Sequence, residues 1–153
     1  MLPSPSDDQI ASRRHWMSVL AKSPAARLEE LWRDLAEPPA YRFLRRPEIG
    51  LTMIRARAGG TGTVFNLGEM TMTRCAVETA TGHVGFGHVA GRDTRHAELA
   101  ALFDALLQDP ARHDEISATV LAPLTREQET RREQASRKAA ATRVNFFTMA
   151  REA

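Results

Sequence analysis

Apolar residues recur along this chain at two different periods. The N-terminal third has the helical period. Ser6 followed by Gln9 forms a capping-box pattern, and Ile10, Met17 and Leu20 then return on one predicted inward face of a helix running to about Ala21. Ser23 is placed to cap a second helix, with Pro24 at its first position, where a missing N–H has no partner to lose. Leu28, Leu31, Trp32 and Leu35 follow at i, i+3, i+4 and i+7, and Pro38-Pro39 stop the run. The pattern predicts a helical hairpin.

At Gly50 the period changes to two. In "LTMIRARA", Leu51 and Met53 alternate with Ile54 and Ala56, which predicts a strand. Gly59-Gly60-Thr61-Gly62 reads as a turn, "TVFNLG" as further strand. In "MTMTRCAVETA", Thr71, Thr73, Cys75 and Val77 take one face and Met70, Met72, Arg74 and Ala76 the other. Thr81-Gly82 is a hairpin signal before "HVGFGHVAG". Three or four mainly antiparallel strands are expected.

The helical period then returns. Asp93 is a predicted N-cap, and Leu99, Leu102, Phe103, Leu106 and Leu107 form a buried stripe. Asp109-Pro110 opens a further short helix with Ile116 and Val120 apolar, and Thr125 with Gln128 repeats the capping-box pattern. "REQETRREQASRKAAA" has helical propensity but no large apolar residue, so it projects into solvent or is held by a partner. "TRVNFFTM" restores a strand pattern, with Val144, Phe146 and Met149 needing cover and Phe147 on the other face. Arg143, Phe146 and Phe147 are therefore partner-docking candidates. The expected class is α+β: an N-terminal helical hairpin, a small mainly antiparallel sheet, and C-terminal helices with an extended arm and terminal strand. One domain over 1–153 is expected, with a flexible tail over 1–5 and the arm over 125–153.

Composition adds little to this and excludes much. Hydrophobic content of 42% and charged content of 26% are those of an ordinary globular domain. No apolar run is long enough to span a membrane, and "MLPSPSDDQI" lacks the basic start and apolar core of a secretory signal. One cysteine, Cys75, permits no internal disulfide and fits a reducing, cytoplasmic setting. The net charge of +2 is too mild to imply nucleic acid, and aromatics at 6% do not interleave with the basic runs as a base-stacking platform requires. The charge is clustered, however. Arg45, Arg46, Arg55 and Arg57 precede the glycines, and Arg126 to Arg143 holds further arginines. Such clusters suit phosphate or an acidic partner.

The chemical motifs are sparse. "RARAGGTGTVFNLGE", Arg55 to Glu69, is not a P-loop, because no Lys-Ser or Lys-Thr follows its last glycine. Its glycines read as turn residues. The functional alternative is a nest of backbone N–H groups from Gly59, Gly60, Thr61 and Gly62, helped by Arg55 or Arg57, that takes an anion or meets a partner. Arg92, ahead of a helix N-terminus, is a further anion or interface candidate. A concave surface shared by Arg55, Arg57 and Arg92 is expected. Glu69, Asp93 and Glu98 are the available bases, with no carboxylate pair at a catalytic spacing. His83 and His88, five apart, are expected on opposite faces of a strand, and His96-Ala97-Glu98 lacks the Pro-Cys-x-x-Cys partner of zinc deaminases. Neither a catalytic residue nor a metal site is assigned. Cys75 reads as a small core residue.

The order of the pieces closely resembles the PhnG family of the bacterial carbon–phosphorus lyase system. The resemblance rests on "RRHWMSVLA" (13–21), "PEIGLTMIRARAGGTGTVFNLGEMTMTRCAV" (47–77), "GHVGFGHVAGRDTRHAELAALFDALLQ" (82–108), "LAPL" (121–124) and "TRVNFFTMARE" (142–152). Asn145 stands where an Asp is expected, and Ala150-Arg151-Glu152 where the family tends to end Val-Arg-Gly. The resemblance implies a subunit of a core complex with PhnH, PhnI and PhnJ, two copies of each, working with the ATPase-like PhnL. The implied reaction is attack of methylphosphonate on the ribose C1 of ATP. Adenine leaves and alpha-D-ribose 1-methylphosphonate 5-triphosphate forms. PhnI is the implied nucleosidase, and PhnJ carries iron–sulfur radical chemistry later. ATP is then a substrate of the complex, with no cofactor bound by this chain. Its role is that of a non-catalytic subunit. The alternative is a subunit whose arginines complete a composite site by binding triphosphate or phosphonate, and a basic nucleic-acid module is the weaker third.

Overall fold

A computed structural model describes residues 6–142 of the chain. The expected 1–5 tail and the terminal strand, with Arg143, Phe146 and Phe147, lie outside the described residues. The α+β class is as the residue pattern predicts. The elements run α1 (Asp7–Lys22), α2 (Ala25–Arg33), β1 (Tyr41–Arg57), β2 (Val64–Thr79), β3 (Val84–Ala90), α3 (Thr94–Gln108), α4 (His113–Ile116) and α5 (Ala122–Ala141). The strands form one antiparallel sheet in the order β1-β2-β3.

The capping box at Ser6 is present: its hydroxyl accepts from Gln9 N, and the Gln9 side chain accepts from Ser6 N. The buried face of α1 differs from the expected one. Trp16, Val19 and Leu20 are buried, whereas Ile10 is exposed, because the first turns of α1 extend beyond the core. Ser23 belongs to the end of α1 rather than the start of α2. Its hydroxyl donates to Val19 O at 2.7 Å, and Pro24 takes the N-cap position. The stripe on α2 holds, with Leu28 and Leu31 buried and Trp32 and Leu35 packed against the core.

The strands are longer than their alternation suggests. β1 starts at Tyr41, ahead of the expected start at Gly50, and β2 joins "TVFNLG" and "MTMTRCAVETA" into one strand. The first half of β1 is hidden in the sequence by irregularity. Its register shifts between Phe43 and Arg45 and again between Arg45 and Glu48, around Pro47. An edge strand accommodates a proline because the missing N–H costs no ladder bond on the open side. His83 precedes β3 instead of lying within it.

α3 is the centre of the core. It is buried continuously from Leu99 to Leu107 because β2 and β3 cover one side and α1 and α2 the other. Two glycines permit this. A Cβ on Gly85 would lie 1.9 Å from Ala101 O, and one on Gly87 would lie 2.0 Å from Ala97 O. Ala97, Ala101 and Ala105, at i, i+4 and i+8, form the matching strip on the helix, so helix backbone meets strand backbone directly.

Beyond α3 the chain is helical from His113, with Ile116 and Val120 buried as expected. Thr125 does not begin a new helix. It sits inside a continuous helical run, and its hydroxyl donates to Leu121 O. A π turn over Ser117–Leu121 precedes Pro123, with Ala122 N donating to Ser117 O. A proline ring clashes with the carbonyl four residues before it, and a widened turn accommodates that clash. α5 is anchored at its base. Leu124 is buried, Gln128 Nε2 donates to Val19 O at 2.6 Å, and Glu127 pairs with Arg27 at 3.0 Å. From Glu129 to Thr142 every residue is exposed, in keeping with its polar composition.

The close approach of α3 to β3 gives a quantitative expectation. Gly85→Ala should lose at least about 1–3 kcal/mol of unfolding free energy, the usual cost of overpacking. Gly68→Ala, with nothing within 4 Å of its added methyl, should change stability far less. Urea unfolding of both variants checks this.

Candidate assembly surface

The sheet is covered for only part of its length. β3 pairs with β2 from Met72 to Glu78, and the buried residues of β2 begin at Thr73. Beyond that point, among the described residues, β1 and β2 continue as a two-stranded hairpin, closed by the turn Ala58–Gly60. Its ladder runs from Leu51 opposite Thr71 out to Arg57 opposite Val64.

The turn explains the glycines. Gly59 and Gly60 have φ of 61° and 79°, in the left-handed region that glycine enters without steric cost. Gly62 is crowded, since a Cβ there would meet Ala58 O at 2.6 Å. Thr61 N and Gly62 N both donate to Ala58 O, so these two amides close the turn on itself. Arg57 Nη1 donates to Gly62 O at 3.3 Å and pins the turn from the side.

The arginines do not form one cluster. Arg45 and Arg57 are twelve positions apart on an extended strand, about 40 Å at 3.3 Å per residue. Arg45 is paired with Glu48, and Arg74 pairs with the same carboxylate. Those bonds, Arg74 first, hold Glu48 below its usual carboxylate range. Arg46 lies over the Phe43 ring at 5.4 Å. Arg55 and Arg57 stand together near the tip, on one face by alternation. Arg92 is at the root, because Gly91 N donates to Thr71 O, which places it level with Leu51. Four strand positions, about 13 Å, separate that level from Arg55. The structure thus joins Arg55 to Arg57 but leaves Arg92 at the other end of the hairpin.

The remaining candidates are tied into the fold. Asp93 caps α3, its Oδ1 accepting from His96 N at 2.8 Å. Glu98 accepts from the Tyr41 hydroxyl and pairs with Arg95. Arg95 also bridges to Glu29 of α2 at 2.8 Å, which lowers the Glu29 pKa. Glu69 is exposed on the hairpin opposite Met53. His96 Nε2 lies 3.0 Å from Leu20 O, and His113 Nδ1 lies 2.6 Å from Leu107 O. Among the described residues no group of three or more His, Cys, Asp or Glu is arranged to hold a metal. Cys75 is buried, as expected, and burial pushes its thiol up to about 11.

What the hairpin does present is apolar surface. Leu51 is 68% exposed, Leu67 62%, Met53 51% and Phe65 44%. Leu51 and Met53 share one face with Arg55 and Arg57, while Phe65 pairs with Ala56 on the other and Leu67 is the extra residue at a β-bulge. Large apolar side chains exposed together on one projection mark an interaction site. Its signal was present in the alternation of "LTMI" and "VFNL", but the residue pattern could not show that no helix among the described residues covers those positions.

One residue with a decisive role, Asp104, is visible in sequence only as an acid interrupting the apolar run from Leu99 to Leu107. It is fully buried and saturated with donors. Its Oδ1 accepts from Trp16 Nε1 at 2.8 Å and Arg13 Nε at 3.2 Å, and its Oδ2 from Arg13 Nη2 at 2.8 Å and Phe86 N at 2.9 Å. This carboxylate ties α1, α3 and β3 together and has no lone pair left for chemistry.

Comparison with known proteins agrees with the fold-wide pattern. The family described as "Phosphonate metabolism protein PhnG" matches residues 11–152. A protein of Rhizobium meliloti (strain 1021), named alpha-D-ribose 1-methylphosphonate 5-triphosphate synthase subunit PhnG, is 42% identical over 150 residues, covering 95% of this chain and 94% of the relative. The chain belongs to the PhnG family. The PhnG match includes "RRHW", which supplies Arg13 and Trp16 to Asp104, and the whole of the hairpin.

Two outcomes follow for the PhnG chain itself. Asp104→Ala removes the acceptor of the Trp16, Arg13 and Phe86 N–H groups and should cost about 3–5 kcal/mol, as breaking a buried ion pair does. Asp104→Asn, which keeps an acceptor, should cost less, and chemical denaturation ranks the two. Cys75 should resist iodoacetamide at pH 8 in the native chain and react readily once unfolded in guanidinium, as mass spectrometry of the adduct would show.

Proposed function

We propose that this chain is the PhnG subunit of alpha-D-ribose 1-methylphosphonate 5-triphosphate synthase and that it contributes assembly surfaces to the complex rather than reacting groups. The observation that carries the reading is the end-to-end likeness to a relative of that name, in a chain whose longest strands run out into an uncovered apolar hairpin. In the synthase a phosphonate oxygen attacks C1 of the ATP ribose, the glycosidic bond to adenine breaks, and the triphosphate stays on the sugar. ATP is a substrate of that reaction, and this chain is assigned no cofactor.

The partners in this reading are PhnH-, PhnI- and PhnJ-like subunits, with two copies of each in the assembly and a PhnL-like protein acting with them, in the cytoplasm where ATP is supplied. The acid–base work on the glycosidic bond falls to a PhnI-like subunit. Two of the three candidate bases support that division of labour, since Asp93 caps α3 and Glu98 is ion-paired, while Glu69 stands exposed on the hairpin. The outer turns of α5 form a second surface. Their exposed charges select a partner, while the apolar residues Val144, Phe146, Phe147 and Met149 that follow supply the affinity.

The pure subunit should release no adenine from ATP, with or without methylphosphonate, and the co-expressed subunits should restore release. Steady turnover by the single chain would overturn the non-catalytic role. Truncation after Glu129 keeps Leu124, Glu127 and Gln128 in place, so the domain should fold but copurify with the other subunits at least tenfold less well. Undiminished copurification would show that the arm is dispensable.

A further inference from the structure

We infer that the β1–β2 hairpin beyond Gly50 is an insertion arm, enclosed on both faces by an unlike subunit whose groove is apolar with an acidic rim at the arginine tip. The inference rests on the assembly role proposed above. The first argument is from the two faces. Leu51 and Met53 are exposed on one face and Phe65 on the other, and Leu67 projects at the bulge between them. A hairpin that merely lay on a partner would need apolar residues on one face only.

The second argument is from area. The arm runs for about 26 Å at 3.3 Å per residue and is about 10 Å wide, so one face offers roughly 250 Å². A standard interface takes about 800 Å² from each partner. One face falls well short. Enclosure of both faces and both edges reaches that size. Residues 143–153 of the chain could add one strand at one edge, which leaves the faces uncovered.

The third argument is from charge, and it selects an unlike partner over a second copy. β1 carries Arg42, Arg45, Arg46, Arg55 and Arg57 against the single acid Glu48. Two copies paired through their β1 edges would set arginine against arginine, and Pro47 interrupts the donors of that edge. An acidic rim meets the same charges favourably, and Arg55 and Arg57, with no carboxylate partner among the described residues, are its direct counterparts.

The test uses the full chain co-expressed with the other synthase subunits. The double variant Leu51→Asp/Leu67→Asp alters only exposed side chains, so the lone chain should keep its melting temperature while copurification falls at least tenfold. Arg55→Glu/Arg57→Glu should weaken association more at low salt than at high salt. Hydrogen exchange of the wild-type complex gives a reading independent of any variant. Amides of residues 64–71 should exchange at least a hundredfold more slowly in the complex than in the lone chain. Unchanged exchange overturns the inference. So does protection already present in the lone chain, whether lost on truncation after Thr142, which would mean that the chain's own end covers the arm, or lost on dilution with a dimeric mass, which would mean a second copy. Failure of the wild-type chain to copurify with the synthase subunits would instead overturn the subunit role and this inference with it.

Discussion

The fold depends on a backbone contact between α3 and β3 that two glycines make possible. With Gly85 and Gly87 under Ala101 and Ala97, the helix sits against the strand with no side-chain layer between them. That closeness sets Asp104 of α3 within 2.9 Å of the Phe86 amide, and from there its carboxylate reaches Arg13 and Trp16 of α1. The charge is stable inside because every lone pair has a donor. One approach distance therefore governs how the sheet, the central helix and the N-terminal helix meet.

The same arrangement limits how much of the sheet can be covered. α3 spans 15 residues, about 22 Å, whereas β1 and β2 span 17 and 16 residues, more than 50 Å of extended chain. A helix of that length shields one end of the strands and leaves the other bare. The overhang is consequently a property of element lengths, and the apolar residues placed on it make it costly to leave in water. At about 25 cal/mol per Å², covering such a surface outweighs the exposed ion pairs nearby, which contribute about 0–1 kcal/mol each. α5 repeats the theme in polar form, anchored by Leu124 and Gln128 and exposed from Glu129 to Thr142. A domain with two projections from one small core has the build of a subunit.

Much of this was legible from residues alone, for local reasons. The capping box at Ser6, the Asp93 cap and the glycine turn are decided by neighbours within a few positions, and each is where the pattern put it. The apolar stripes on α2 and α3 follow from helical period. The family likeness followed from the order of short segments. By contrast, the Ser23 and Thr125 caps failed because each residue has a competing local bond, to Val19 O and Leu121 O, that keeps it within or at the end of the preceding helical run.

The chain by itself determined its class, its glycine turn and the apolar stripes of α2 and α3, because those depend on backbone propensity and short-range periodicity. Tertiary structure alone decided that Leu51, Met53, Phe65 and Leu67 are exposed while Val77 and Val89 are buried, although all six sit in similar strand patterns. It alone separated Arg92 from Arg55 and gave Asp104 its donors. The reason is that coverage, through-space distance and the satisfaction of a buried charge depend on which distant segment lies above a residue, and a one-dimensional pattern contains no such information.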